Sequence, residues 1–372
     1  MRLKSISSFL ASILLIGFTI STGIIVYYFV STLPRTQTQQ ISSQASKVLS
    51  CAGATFDVKV KNCNLLNGLV LWLPMDEGSG NTTYDYSGNN NNGTLYNGST
   101  ICGGIDNCPL WVDGLIGKAI SFDGVDDYVN IPSSPSLSGL NTITLSVWVN
   151  PTKTTEGTIA SKHDNYQNRE WQLYINPYTY KYTFQVVDNS TNTFSEVAGI
   201  LATAGKWTHI VGVYNNGDLR IYCDGVLISS ATTNKIIRVT NAPIRIGNRA
   251  DDARYYGGII DEVLIYNRAL SEEEIKELYY EGLTNKFNIT IGLLNSGYAD
   301  LGNSFTAIVY LKNGTILQKP LNSEKPLNKG YYLEGTITID GYYPSYGLVD
   351  KIMVCSNDCQ GVCSEVKINN QC

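Results

Sequence analysis

The stretch ISFDGVDDYVNI, residues 120–131, places three carboxylates close together, at Asp123, Asp126 and Asp127. Carboxylates at this spacing could share a divalent cation through hard oxygens or divide the work of a general acid and base. They could also shape a turn, since Asp bonds its own backbone and Asp-Gly accepts turn conformations. The alternating runs on either side, KAISF and YVNI, favour the turn, with cation contact second and catalysis last. Histidine offers little alternative chemistry. His209 shares a strand face with Trp207, Val211 and Val213, the pattern of a buried ring, and His163 falls in a loop. Neither sits at a zinc-ligand spacing, and no nucleophile elbow marks a serine hydrolase.

The elements that must carry these groups are β-strands. From Gly68 to Tyr280 the chain reads as short alternating segments divided by turn residues, which predicts an all-β, two-sheet antiparallel jelly-roll sandwich. In TITLSVWVN, Ile143, Leu145, Val147 and Val149 point one way and Thr144, Ser146 and Trp148 the other. The Asn216-Gly217 and Asp224-Gly225 pairs suit the positive φ of primed hairpin turns. Asp123-Gly124 reads as a tight turn between its two flanking strands. One short helix is expected in NRALSEEEIKELYYEG, with Ser271 and Glu274 as a capping box and Leu270 against Ile275 as a staple; Gly282 is expected to end it. The acidic triplet Glu272 to Glu274 is thereby explained by the helix N-terminus.

At 372 residues the chain can hold two domains and bury a sizeable core. Charged residues are 16%, under the roughly 25% of an average soluble protein, and the net charge of −5 leaves no basic footprint for nucleic acid. After Arg2 and Lys4 comes an uncharged run, Phe9 to Val30, about long enough to span a bilayer. It ends in the interfacial aromatics Tyr27, Tyr28 and Phe29, and the basic flank precedes it. Residues 1–33 are therefore expected to form a transmembrane helix with a cytoplasmic N-terminus, the remainder lying outside the cell. This segment resembles the N-terminus of archaeal type IV pilin-like proteins. The resemblance implies processing at Lys4-Ser5 before Ile6 and self-assembly through the helix, although Ser5 stands where that family has Gly. Residues 34–66 follow as a polar stalk or linker.

The segments LVLWLPMDEGSGNTTYDYSGNNNNGTLYNG, GLIGKAISFDGVDDYVNIPSSPSL, TITLSVWVNP, GKWTHIVGVY, LRIYCDGVLI and GGIIDEVLIYNRALSEEEIKELY, in that order, resemble a laminin G-like (LamG-like) jelly-roll domain of the concanavalin A-like lectin/glucanase superfamily over residues 67–283. The resemblance implies carbohydrate or protein binding, with a structural calcium as cofactor. Its first and last strands would bring Asp76 and Asp261 together, with Asp85 and carbonyls of loop 88–93 completing an oxygen shell. Glucanases of the superfamily carry Glu-x-Asp-x-x-Glu on one strand, because glycoside cleavage needs two nearby carboxyls. This chain has no such strand and is expected not to be an enzyme. Ligand binding is placed on rim residues able to stack on sugars and bond hydroxyls: Trp171 and Tyr178 with Arg169, and the loop holding Asp251, Asp252, Arg254 and Tyr255.

An extracellular setting permits disulfides. Short loops favour Cys51–Cys63 and Cys102–Cys108, Cys223 looks like a buried free thiol, and two bonds are expected among Cys355, Cys359, Cys363 and Cys372, whose pairing stays open. Residues 284–372 read as a small disulfide-stapled β domain. The expectation for the whole is a surface-anchored adhesion or carbohydrate-binding protein, the alternative being a structural pilin-like or envelope subunit; a glycan hydrolase ranks last.

Overall fold

The computed structural model describes residues 51–367, except 61–64, 66, 104–107, 166–167, 235, 251–253, 285, 312–313, 324 and 341–348. The apolar run Phe9–Val30, the Lys4-Ser5-Ile6 junction, Asp251, Asp252, Cys63 and Cys372 lie outside the described residues. Among the described residues no helix is long and apolar enough to cross a membrane.

Two antiparallel sheets face each other. The first runs in the order Val226–Thr232, Asp218–Cys223, Thr208–Asn215, Thr142–Pro151, Gly257–Tyr266, Lys118–Asp123, Leu110–Asp113, with Leu69–Leu73 also paired to Gly257–Tyr266. The second runs Phe194–Leu201, Lys181–Val187, Asn168–Ile175, Gly157–Asn165, Ile244–Ile246, Asp127–Ile131, Gly93–Asn97, Thr82–Thr83, with Thr100–Ile101 beside Gly93–Asn97. Alternation decides what fills the space between them. Ile143, Leu145, Val147 and Val149 enter one core with Trp171, Leu173, Phe184, Val129 and Ile246. Gly212 takes part by having no side chain, since a Cβ there would meet the Phe184 ring at 2.5 Å. The expected hairpins form: Asn216 and Gly217, then Asp224 and Gly225, all have positive φ. Asp123-Gly124 does not make a hairpin. The strands on its two sides belong to different sheets, so this turn carries the chain from one layer to the other.

The outer face of the first sheet is also buried. The helix Glu272–Thr284 lies over it, capped as expected: the Ser271 amide donates to Glu274 at 2.7 Å and the Glu274 amide to Ser271 Oγ at 3.3 Å. Gly282 does not end this helix. It lies inside it, where a Cβ would meet the Trp148 indole at 2.6 Å. His209 stacks on Trp148 and on Tyr279, which also stack on each other, and bonds Ser146 Oγ at 2.8 Å; burial lowers its pKa to about 3, so the ring is neutral and structural.

The C-terminal unit pairs Phe56–Val60 with Lys286–Asn295 and that strand with Tyr332–Asp340, against a four-stranded sheet of Ile316–Asn322, Ser304–Leu311, Val349–Ser356 and Cys363–Lys367. Phe56–Val60, placed by sequence in the linker 34–66, is thus an edge strand of the last domain. The disulfides explain how it is held. Cys51 bonds Cys359, not Cys63, and Cys355 bonds Cys363, so one of the two bonds expected within the last four cysteines is replaced by a long-range one. Loop length misleads here because strand pairing, not sequence proximity, brings Cys51 to Cys359. Cys102 bonds Cys108, and Cys223 is free and buried, its thiol pushed up to about 11 mainly by that burial.

Candidate functional site

Strand register assembles a polar row that spans most of the second sheet. Glu196 pairs with Gln185, Gln185 with Gln172, Gln172 with Ser161, Ser161 with Arg245, Arg245 with Asn130 and Asn130 with Thr94. The adjoining row is Val197, Phe184, Leu173, Ala160, Ile246, Val129 and Leu95, every member apolar. Side chains one residue apart on a strand point to opposite faces, so the apolar row fills the core and the polar row lies on the outer face.

The polar row is hydrogen-bonded at its Glu196 end. Gln172 donates to Gln185 at 2.8 Å, Gln185 donates to Glu196 at 3.0 Å, and Tyr174 Oη donates to the same Glu196 oxygen at 2.9 Å. Arg249 donates to Gln172 at 3.3 Å. Burial first, and then the Glu196 carboxylate, push the Tyr174 phenol above its ordinary range, so it remains a donor. At the other end Tyr96 and Tyr128 stack 5.0 Å apart and the Arg245 guanidinium covers Tyr128 at 4.4 Å. Glu196 is exposed and Arg245, Arg249 and Tyr96 are half-buried. Gln172, Gln185 and Ser161 are buried, so what the face presents is the Glu196 carboxylate with the Arg245 and Arg249 guanidinium groups and the Tyr96 ring, charged and aromatic groups able to meet hydroxyl-bearing ligands.

The residues expected at the rim divide. Arg254 and Tyr255 lie beside strand Gly157–Asn165, the Arg254 carbonyl accepting the Thr158 amide at 2.9 Å and Tyr255 bridging Thr158. Trp171 is 2% exposed and packs between the sheets, which removes it as a stacking platform. Arg169 donates to Asn192 at one end of strand Asn168–Ile175, and Tyr178, fully exposed, lies beyond the other end, so the three form no common site. Gln172, Gln185, Glu196 and Arg245 are missing from the expected set, yet the alternation Glu-x-Gln-x-Tyr against Trp-x-Leu-x-Ile in residues 170–175 does carry the signal. A surface cavity of about 720 Å³ lies elsewhere, at the helix cap beside Arg268, Ser271 and Glu274. Two of its charges, Arg268 and Glu274, pair with each other, and Arg220, Glu273 and Glu277 also line it.

The expected calcium ligands also separate. Asp261 Oδ2 accepts the Leu115 and Ile116 amides at 3.0 and 3.1 Å, and Asp76 accepts the Lys118 amide at 2.6 Å, so both grip the loop 114–118. A bulge after Asp261, with Glu262 at φ 51°, turns a second carboxylate inward; Glu262 accepts the Trp72 indole at 2.8 Å. Asp261 Oδ1 and Glu262 Oε1 are buried without partners. Burial first, and then mutual repulsion that includes Asp76, raises both carboxyls well above their ordinary range. Carboxylate oxygens are the donors a hard cation takes, although those of Asp76, Asp261 and Glu262 do not all lie within 4.8 Å of one another. Asp85 stands apart, its oxygens taken by the amides of Trp72, Ser87 and Asn91 and by Ser87 Oγ.

Comparison with known proteins agrees with this architecture. Residues 123–276 match a laminin G family model described as belonging to the concanavalin A-like lectin/glucanases superfamily. Two relatives are similar in sequence. Adhesion G-protein coupled receptor V1 of Danio rerio is 23% identical over 45% of this chain and 3% of its own length, and Adhesion G-protein coupled receptor D1 of Homo sapiens is 30% identical over 24% of this chain and 11% of its own. The chain thus spans a small part of either relative. Among solved structures, domain 4 of the extracellular arabinanase AbnA from Geobacillus stearothermophilus, in complex with arabinotriose, covers 60% of this chain and 98% of its own at 21% identity and TM-score 0.44. The binding domain of Paraclostridial Mosquitocidal Protein 1 covers 78% of this chain and 70% of its own at 17% identity and TM-score 0.48.

Proposed function

We propose that this chain is a non-catalytic, surface-displayed binding protein whose LamG-like domain holds glycan on the outer face of the second sheet. The observation that carries the reading is the unbroken polar row from Glu196 to Thr94, pre-ordered by hydrogen bonds at its Glu196 end. Pre-ordering matters because side chains already fixed lose little entropy when a ligand arrives. A non-catalytic role fits because the row carries one carboxylate, Glu196, whereas glycoside cleavage needs two flanking the bond. Asp261 and Glu262 are side by side but 0% and 1% exposed, out of reach of a substrate. Anchoring would come from the N-terminal apolar run Phe9–Val30.

Binding of the full chain to a panel of polysaccharides tests the reading. Saturable binding is expected, and Glu196→Ala and Arg245→Ala should each weaken it about tenfold or more, the loss of a hydrogen bond to a charged group, with little change in melting temperature because both side chains reach solvent. Binding that survives both substitutions unchanged would remove the face from the site and favour protein neighbours.

Calcium is the cofactor this reading includes, held by Asp76, Asp261 and Glu262, where it would neutralise buried negative charge. Adding calcium to chelator-treated protein should raise the melting temperature, and Asp261→Asn should diminish that gain. An equal gain in wild type and variant would take calcium away from this position.

A further inference from the structure

We propose that Asp123, Asp126 and Asp127 form a separate divalent-cation site of the calcium class at the corner where the chain passes from one sheet to the other. Oxygens of all three carboxylates lie within 4.8 Å of one another. Asp127 is 2% exposed, and its Oδ1 is buried with no hydrogen-bond partner, while its Oδ2 accepts the Asp123 amide at 3.0 Å. A carboxylate oxygen removed from water and left unpaired is costly, and a cation resolves that cost. Among the described residues no basic side chain pairs with any of the three.

The frame around the cluster is already fixed. Asp123 pairs with Gly257 in one sheet and Asp127 with Asn97 in the other. Gly124, at φ +77°, runs so close that a Cβ there would lie 3.1 Å from the Gly257 Cα, and the Asp126 carbonyl accepts the Gly98 amide at 2.9 Å. Asp123 Oδ1 folds the turn by accepting the Val125 and Asp126 amides. Asp123 is exposed, so water can complete the shell on that side. An all-oxygen donor set with three carboxylates suits calcium in preference to zinc or copper, which favour nitrogen and sulfur.

Equilibrium dialysis of the chelator-treated full chain with radiolabelled calcium tests this. Asp126→Asn keeps every hydrogen bond described above, because Asp126 contributes only its backbone to them. It is expected to weaken one bound equivalent by roughly tenfold or more, since ligand charge sets calcium affinity, while Asp261→Asn leaves that equivalent intact. The same calcium isotherm for wild type and Asp126→Asn overturns the site. A second measurement needs no variant: in wild-type protein, calcium should slow hydrogen exchange of amides 123–128, and unchanged exchange there would count equally against it.

Discussion

Glu170→Gln should lower the unfolding free energy by about 3–5 kcal/mol, the usual cost of removing one partner from a buried ion pair. Lys162 Nζ lies 2.6 Å from Glu170 Oε1, with the two side chains 0% and 2% exposed. Lys162 also donates to the Thr240 carbonyl at 2.9 Å, and Glu170 accepts the Thr240 amide and hydroxyl. In the variant the buried ammonium faces only neutral acceptors, the Thr240 carbonyl and the new amide oxygen. Burial outweighs the ammonium and raises the Glu170 carboxyl above its ordinary range, so the intact pair contributes little net stability even though breaking it is expensive. Two consequences are measurable by denaturant unfolding. Lys162→Met should cost a comparable amount, and Lys162→Met with Glu170→Leu should recover most of the loss. Single substitutions costing under about 1 kcal/mol would mean that water reaches the pair.

Replacing Cys51 and Cys359 by serine should cost about 2–5 kcal/mol, because the bond closes a very long loop whose freedom returns to the unfolded chain; the sequence separation is 308 residues. The loss should be local as well as global. Strand Phe56–Val60 pairs along one side only, with Ile291 to Asn295, and Phe56 packs edge-on against Phe305 at 5.9 Å. Without the bond this edge strand is held by five residue pairs and a few apolar contacts, so amides 56–60 should exchange faster in deuterated water while the LamG-like sandwich keeps its protection. Unchanged exchange at 56–60 would show that packing alone secures the strand.

Features settled within a few residues were legible in the sequence. The alternation of Ile143, Leu145, Val147 and Val149, the Asn216-Gly217 and Asp224-Gly225 turns, and the Ser271–Glu274 capping box rest on local backbone preference and side-chain periodicity. The jelly-roll class follows from them. Tertiary structure decided whatever depends on which distant strands meet. Period-two alternation divides residues 170–175 into two faces but does not say which one turns inward; burial in the core between the two sheets put Trp171 inside and Gln172 outside. Seven strands, each contributing one polar side chain, make the outer row only once their registers are set, and no local signal fixes a register between residues 94 and 245. The same holds for Cys51 and Cys359, for the bulge that buries Glu262 beside Asp261, and for Asp123 to Asp127. Their spacing reads as a turn in sequence, and only the assignment of the two flanking strands to opposite sheets makes them a corner with a buried, unpaired carboxylate oxygen.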